Sequence, residues 1–246
     1  MFRTPSVFSS FSHLITAEST RHGGVSPTPY ASLNLSLSTG DSSANVAKNQ
    51  ELFWQTLGVH PNQVASSYQI HGAEILEVAH PGRWEGYDAL ITNSKDILLT
   101  VTIADCAPIL IYDHQQQAVA AIHAGWRGTV QEIVTKTIRK MQGTYGTDPA
   151  QCYAYVGTCI DECSFEVGDE VADQFATPYK QYNPTIGKYF VDLKKANRYQ
   201  LTQAGIPEAN IQTSTYSTVI HNEDYFSFRH EKGLTGRLLA CIGLKA

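Results

Sequence analysis

Cysteine is too scarce and too irregularly spaced in this chain to build a disulfide framework. The five, at positions 106, 152, 159, 163 and 241, are odd in number and lack the dense spacing of a stapled secreted domain. Reduced thiols are therefore expected. Long apolar runs are missing as well: the strongest, residues 97–112, is broken by Asp105 and Pro108, and Met1 to Ser6 offers no apolar signal stretch. Neither a membrane span nor a membrane partner is expected, and the expected compartment is the cytoplasm. Positive charge is in deficit. The 18 Lys and Arg against 23 Asp and Glu leave a net charge of -5, which argues against a general nucleic-acid binder or a polybasic membrane docker but leaves room for a local cationic pocket that holds a small anion. No dinucleotide-type glycine fingerprint and no phosphate-cradling P-loop occurs. Repeats, low-complexity tracts and long charged linkers are absent too, so residues 1–246 read as one domain, large enough for a real core and expected to be a monomer.

What is present suggests short strands with a few helices. The turn formers from Arg21 to Pro29 predict a loop-rich start that feeds a strand over residues 32–37. Residues 44–57 predict a helix stopped by Gly58. Strands are expected over 64–67, 75–78, 89–92, 98–102, 109–112 and 118–123, with Asp113 to Gln117 as the reversal between the last two. Thr129 to Glu132 has capping-box spacing, and Val130, Ile133, Val134, Ile138 and Met141 predict a helical face ending before Gly143. Beyond it come a strand over 152–156, a helix over 167–175, a helix from about Leu193 through Leu201, an extended 211–215 and a last strand over 238–242. Blocks of strands with interspersed helices and no regular alternation predict an α+β fold, a single domain of mixed sheets flanked by helices.

Overt chemistry is concentrated in three side chains. Cys106 follows Ile103-Ala104-Asp105, His123 precedes Ala124-Gly125-Trp126-Arg127-Gly128, and His71 sits in Gln69-Ile70-His71-Gly72. Cys106 and His123 flank two short strands and a turn, an arrangement that returns the His beside the Cys. One thiolate and two imidazoles would give zinc three protein ligands and leave a fourth corner open, as in catalytic rather than closed structural sites. Two other readings stand beside this one. Free Cys is commonly a small buried hydrophobe and a His on an apolar strand a hydrogen-bonded core residue. Alternatively, His123 activates a Cys106 thiolate for acyl transfer or amide hydrolysis, with His71 orienting the substrate.

The surroundings of these residues carry a resemblance. Thr20-Arg21-His22-Gly23-Gly24-Val25-Ser26, Ser32-Leu33-Asn34-Leu35, Asp88-Ala89-Leu90-Ile91-Thr92, Ala104-Asp105-Cys106-Ala107-Pro108, Phe165-Glu166-Val167-Gly168, Phe226-Ser227-Phe228-Arg229 and Thr235-Gly236-Arg237 follow in order along nearly the whole chain. In this order they resemble the YfiH-like, laccase-domain-containing purine nucleoside phosphorylase family, once labelled polyphenol oxidase or multicopper oxidase. The resemblance implies a YfiH-like (cytotoxic-necrotizing-factor-like) fold, metal ligands and catalytic residues at His71, Cys106 and His123, and zinc as the ion, with copper as the alternative. It also implies phosphorolysis of adenosine, inosine, guanosine and methylthioadenosine with inorganic phosphate, together with adenosine deamination. Some relatives are linked to editing of peptidoglycan precursors, which pairs with the Cys-His hydrolase reading; a metal-holding partner module without turnover is a third class.

Phosphate has to be held near C1′, which calls for bidentate donors, and Arg21, Arg127 and Arg229 are the candidates, with Asn34 as a further sugar or phosphate contact. The bland readings are a loop cap for Arg127, a surface pair of Arg229 with Glu223, Asp224 or Glu231, and local backbone bonding for Asn34. Trp126 and Tyr30 are candidate base-stacking groups, and Asp105 a candidate proton shuttle. One departure from the family pattern stands out: Asn49 is followed by Gln50 where an Arg is frequent, removing a cation from the expected phosphate site. The copper-oxidase label fits poorly, because the chain has no His-x-His pair and its only methionines are Met1 and Met141.

Overall fold

Alternation along the central strands sets the layering in the computed structural model, which describes residues 1–246. The first six-stranded sheet runs in the order β1 (Phe2–Arg3), β2 (Leu14–Ser19), β15 (Leu238–Leu244), β7 (Leu98–Ile103), β3 (Val64–Tyr68) and β5 (Gly82–Glu85), antiparallel as far as β7 and parallel beyond it. The second has the order β14 (Ile211–Thr213), β10 (Cys152–Val156), β8 (Ala107–Asp113), β9 (Ala118–Ala124), β6 (Ala89–Thr92) and β4 (Ile75–Glu77), with parallel pairs only at its two edges. A small antiparallel sheet of β11 (Glu166–Val167), β13 (Lys188–Val191) and β12 (Lys180–Asn183) completes the set.

Every residue of β8 and β9 is buried. Leu110, Tyr112, Val119 and Ala121 face one way, into a core shared with Leu99, Val101, Ala240 and Ile242 of the first sheet. Ile109, Ile111, Ala120 and Ile122 face the other way, onto α3 (Ile133–Tyr145) and α5 (Leu193–Gln203). Outside the first sheet, α1 (Ser43–Leu57) packs Phe53 and Trp54 against Leu98, Leu239 and Cys241. The layers are thus helix, sheet, sheet, helix, and a strand buried on both faces needs apolar residues at nearly every position. Each fully buried Leu or Ile contributes roughly 1.5–3 kcal/mol, so the inter-sheet core carries the fold.

The α+β expectation holds, and so do the Gly58 stop, in a left-handed cap with φ 68, and the Asp113–Gln117 reversal. Three local expectations are corrected. Residues 32–37 form no strand: Leu33 and Leu35 are buried as the alternation predicts, but Leu33 N–H donates to the Arg21 carbonyl and Leu35 N–H to that of Arg237, so no ladder forms. The helix expected to start at Thr129 is two helices, α2 (Trp126–Val130) and α3, broken at Glu132, whose φ is 59. Thr129 does not cap, because its hydroxyl donates back to the Gly125 carbonyl at 2.9 Å. α3 runs through Gly143 and stops at Gly146. The helix expected over 167–175 shrinks to the four residues of α4 (Asp169–Ala172), preceded by β11. The Arg21 to Pro29 loop holds, and it is preceded by β2, a full six-residue strand of the first sheet for which no element was expected. No helix is long and apolar enough to cross a membrane.

Candidate metal centre and active-site cavity

His71, Cys106 and His123 converge: one donor atom from each lies within 4.8 Å of the others, and the two imidazole centroids are 4.9 Å apart with planes at 81°. The strand register explains how. β8 and β9 pair Pro108 with His123 and end on Ala107 opposite Ala124, which leaves Cys106 just past the last rung, facing Gly125. His123 shares the parity of Val119 and Ala121, so its ring leaves the second sheet on the side of the first. Gly125 keeps this corner open, since a Cβ on it would lie 3.0 Å from Cys106 Sγ and 3.2 Å from His71 Cδ2, closer than an ordinary contact. His71 arrives on the crossover between β3 and β4, and the Gln69 side chain pins that crossover to Thr102 of β7.

A fourth residue organises the trio. Asp88, fully buried at the head of β6, accepts from His123 Nδ1 at 2.7 Å and from the backbone N–H groups of Ile70, His71 and Gly72. Three consecutive N–H donors on one carboxylate hold His71 at φ 60, a left-handed conformation that a non-glycine residue rarely adopts unsupported. With Nδ1 engaged, the remaining His123 nitrogen, Nε2, is the one available to a metal or to the Cys106 sulfur. Burial alone would raise the Asp88 pKa, but the His123 and backbone hydrogen bonds hold it below the ordinary carboxylate value. Burial likewise pushes the Cys106 thiol up, and the two imidazoles overcome it and bring the group down to about 6. For His123 burial acts downward, yet Cys106 and Asp88 push it up to about 9. The two imidazoles thus favour the Cys106 thiolate, the form that serves as ligand or nucleophile.

The trio closes one end of a cavity of about 860 Å³ that runs along the α1 side of the first sheet. Its charged walls are unusual for an acidic chain: Arg83, Arg127, Arg229 and Arg237 line it, and Asp105 is the only carboxylate. That carboxylate is occupied, since it accepts from Thr218 Oγ1, Ser227 Oγ and the Arg229 N–H; these bonds hold Asp105 at φ 85 and set the position of Cys106.

Of the residues singled out from sequence, Arg127 and Arg229 reach this cavity and Arg21 and Asn34 do not. The Arg127 guanidinium lies 4.3 Å over the Trp126 ring, which also lines the cavity, whereas Tyr30 does not. Arg229 pairs with none of Glu223, Asp224 and Glu231; its Nη1 donates to the Glu166 carbonyl. Arg21 is the one that pairs with Glu231, at 3.0 Å, while its other donors go to the Ala31, Asn222 and Tyr225 carbonyls. Asn34 is fully buried, donating to Thr39 and Asp41 and accepting from the Arg237 N–H, so it braces the wall from behind. Gln50 does line the cavity, tied to the Leu35 carbonyl. Sequence reasoning missed the roles of Asp88, Arg83 and Arg237. The signals for Asp88 are its place at the head of one of the motifs that carry the resemblance and an acid directly before three apolar residues, Ala89 to Ile91.

A family model described as multi-copper polyphenol oxidoreductase laccase matches residues 15–245. The chain belongs to that family. A protein named purine nucleoside phosphorylase from Bacteroides thetaiotaomicron is 35% identical, with 98% of this chain and 94% of that protein covered. Another of the same name, from Deinococcus radiodurans, is 38% identical over 93% and 88%. The crystal structure of YlmD from Geobacillus stearothermophilus matches with a TM-score of 0.91 at 33% identity, over 96% of this chain and 93% of that one. The laccase description of the family sits beside a single three-donor cluster in this member, without the paired histidines that a multicopper centre requires.

Proposed function

We propose that this chain is a purine nucleoside phosphorylase working with a zinc ion held by His71, Cys106 and His123, and that the same centre deaminates adenosine. The relatives that bear the phosphorylase name along almost the whole chain support this reading. The observation that carries it is a Cys-His-His trio at the end of a cavity whose free charges are arginines. The donor set fits the ion: one thiolate and two imidazoles suit tetrahedral zinc, whose bond lengths put such donors about 3.3–3.6 Å apart, within the 4.8 Å bound of the trio. Bound there, zinc would supply a Lewis acid.

In phosphorolysis an oxygen of inorganic phosphate bonds to C1′ of the nucleoside while the C1′–N9 bond breaks. The electron pair leaves with the purine, which takes up a proton, and the products are free base and ribose 1-phosphate. The arginines neutralise the phosphate dianion, and the Trp126 ring offers a flat face to the base. Adenosine, inosine, guanosine and methylthioadenosine are the proposed substrates. Asp105 acts as a positioning residue for Cys106, not as the proton shuttle, because both its oxygens already accept hydrogen bonds.

One observation favours a second reading. Cys106, His123 and Asp88 are arranged as a nucleophile, a base and an orienting carboxylate, the relay of a Cys-His hydrolase such as one editing peptidoglycan precursors. His71 is the third donor that this relay does not need. Incubating the purified chain with inosine and phosphate should release hypoxanthine and ribose 1-phosphate, and adenosine without phosphate should yield inosine. Metal analysis should find about one zinc per chain, and Cys106→Ala should lose the metal and both activities. Turnover that survives thorough chelation and disappears on thiol alkylation would overturn the zinc reading in favour of the hydrolase.

A further inference from the structure

The four cavity arginines are not equivalent. Arg83, Arg127 and Arg229 hold exposed side chains at the rim, whereas Arg237 is drawn inward at the start of β15. Its backbone is fixed on both sides: the N–H donates to Asn34 Oδ1 at 2.9 Å and the carbonyl accepts from Leu35 N–H. Nη1 donates to the carbonyls of Thr235 and Gly236 at 3.1 and 3.0 Å, and the guanidinium lies 5.4 Å over the Phe228 ring. Nε and Nη2 make no hydrogen bond within the chain, and no carboxylate pairs with the group. Asp105 is close enough to pull its pKa up, as is Cys106, but burial outweighs both and moves it down. A cation withdrawn from water costs free energy unless an anion accompanies it, and every oxygen of the only carboxylate in the cavity already has a donor.

We infer that Arg237 is the residue that binds inorganic phosphate, presenting its free Nε and Nη2 edge to two oxygens of the dianion and holding it in the cavity next to the Cys-His-His trio. Such a fork matches a phosphate edge in a way that a lysine does not. Because Thr235 and Gly236 fix Nη1, the edge is aimed before the anion arrives. In this geometry the cation missing at Gln50 is not essential, because the anchor lies directly before β15 and not on α1. The assignment rests on the phosphorylase reading for its ligand. The same chemistry would also take the phosphate group of a nucleoside monophosphate, and the two sources are separated by titrating each.

Calorimetric titration of inorganic phosphate at constant ionic strength tests it, with AMP in a parallel arm. Wild-type protein should bind phosphate, and Arg237→Gln should weaken that binding by about 10- to 100-fold, the range for a charged hydrogen-bonded contact. Arg127→Gln and Arg229→Gln, at the solvent-screened rim, should weaken it by less than about fivefold. Arg237→Lys, which keeps the charge and the packing volume but not the fork, should fall between, and it serves as the decisive variant if the Gln form does not melt cooperatively. In turnover assays the loss should appear in KM for phosphate and not in KM for the nucleoside. Phosphate binding that is absent in the wild type, or that is unchanged in both Arg237 variants, overturns the inference, as does Arg237-dependent binding of AMP that inorganic phosphate cannot displace. If phosphate binds through Arg237 yet inosine is never cleaved, the phosphorylase reading fails and the anion site stands.

Discussion

Asp88 shows how much one buried carboxylate can decide. It fixes the nitrogen that His123 offers to the cavity and also folds the His71 turn around itself, so two of the three donors depend on it. Asp88→Asn keeps the volume but sets an amide against the N–H groups of Ile70 and Gly72. We expect metal affinity to fall by about 10- to 100-fold, as for other carboxylates behind a ligand histidine, measured by competition with a zinc-binding dye. Unchanged affinity would remove Asp88 from the site. The pH dependence of metal affinity follows from the same contacts. His123 keeps its second proton up to about 9, so below that pH an incoming ion must displace it, and affinity should rise with pH up to about 9. Below about 6 the Cys106 thiol must also lose a proton, and the dependence should steepen. In the Asn variant the imidazolium loses its carboxylate, its proton leaves at lower pH, and the rise should level off earlier. Titrations that show no pH dependence between 6 and 9 would contradict the His123–Asp88 assignment.

At the scale of elements, the break between α2 and α3 is a place where the chain is strained for a reason external to either helix. Glu132 sits at φ 59 as α3 begins, while Thr129 and Gly125 are held by the turn that carries the His123 end of β9. Glu132→Gly relieves a left-handed residue and should stabilise the fold by up to about 1 kcal/mol, read as a raised thermal midpoint with metal content unchanged. A lowered midpoint would mean that the Glu132 side chain does more than tolerate the turn. The same junction shows what the sequence conveyed. The periodicity of Ile133, Val134, Ile138 and Met141 is real and faces the core, but the capping signature upstream marked a back-bonded threonine, Thr129, and not a helix start. β2 was hidden because a buried Glu18, bonded to Tyr155 and Thr158, interrupts its apolar pattern. The hydrophobic strands β6 to β9 were legible because both faces are buried. The trio was legible from residue type and resemblance. Asp88 and Arg237 were not, because their roles depend on which partners the fold brings or withholds, and a linear pattern carries no record of that.

For the whole molecule, the trio lies where the chain passes between the two large sheets. His71 is on the crossover from β3 to β4, Cys106 on that from β7 to β8, and His123 near the end of β9. An ion shared by the three would tie both crossovers to the second sheet at one point, while the cores of 29 and 16 buried residues on either side of that sheet include none of the three donors. Metal should therefore add stability without being a condition for folding, unlike the small zinc domains that unfold when stripped. At free zinc about a hundred times its Kd the gain is about 2.7 kcal/mol, which for a chain of this size shifts the thermal midpoint by about 5–10 °C. Chelated protein should melt in a single cooperative transition that much lower. Cys106→Ala should melt close to the chelated wild type and not respond to zinc. Were stripping to abolish cooperative melting altogether, the ion would belong to the core of the fold; were zinc to raise the variant as much as the wild type, the stabilising ion would lie somewhere other than between these three side chains.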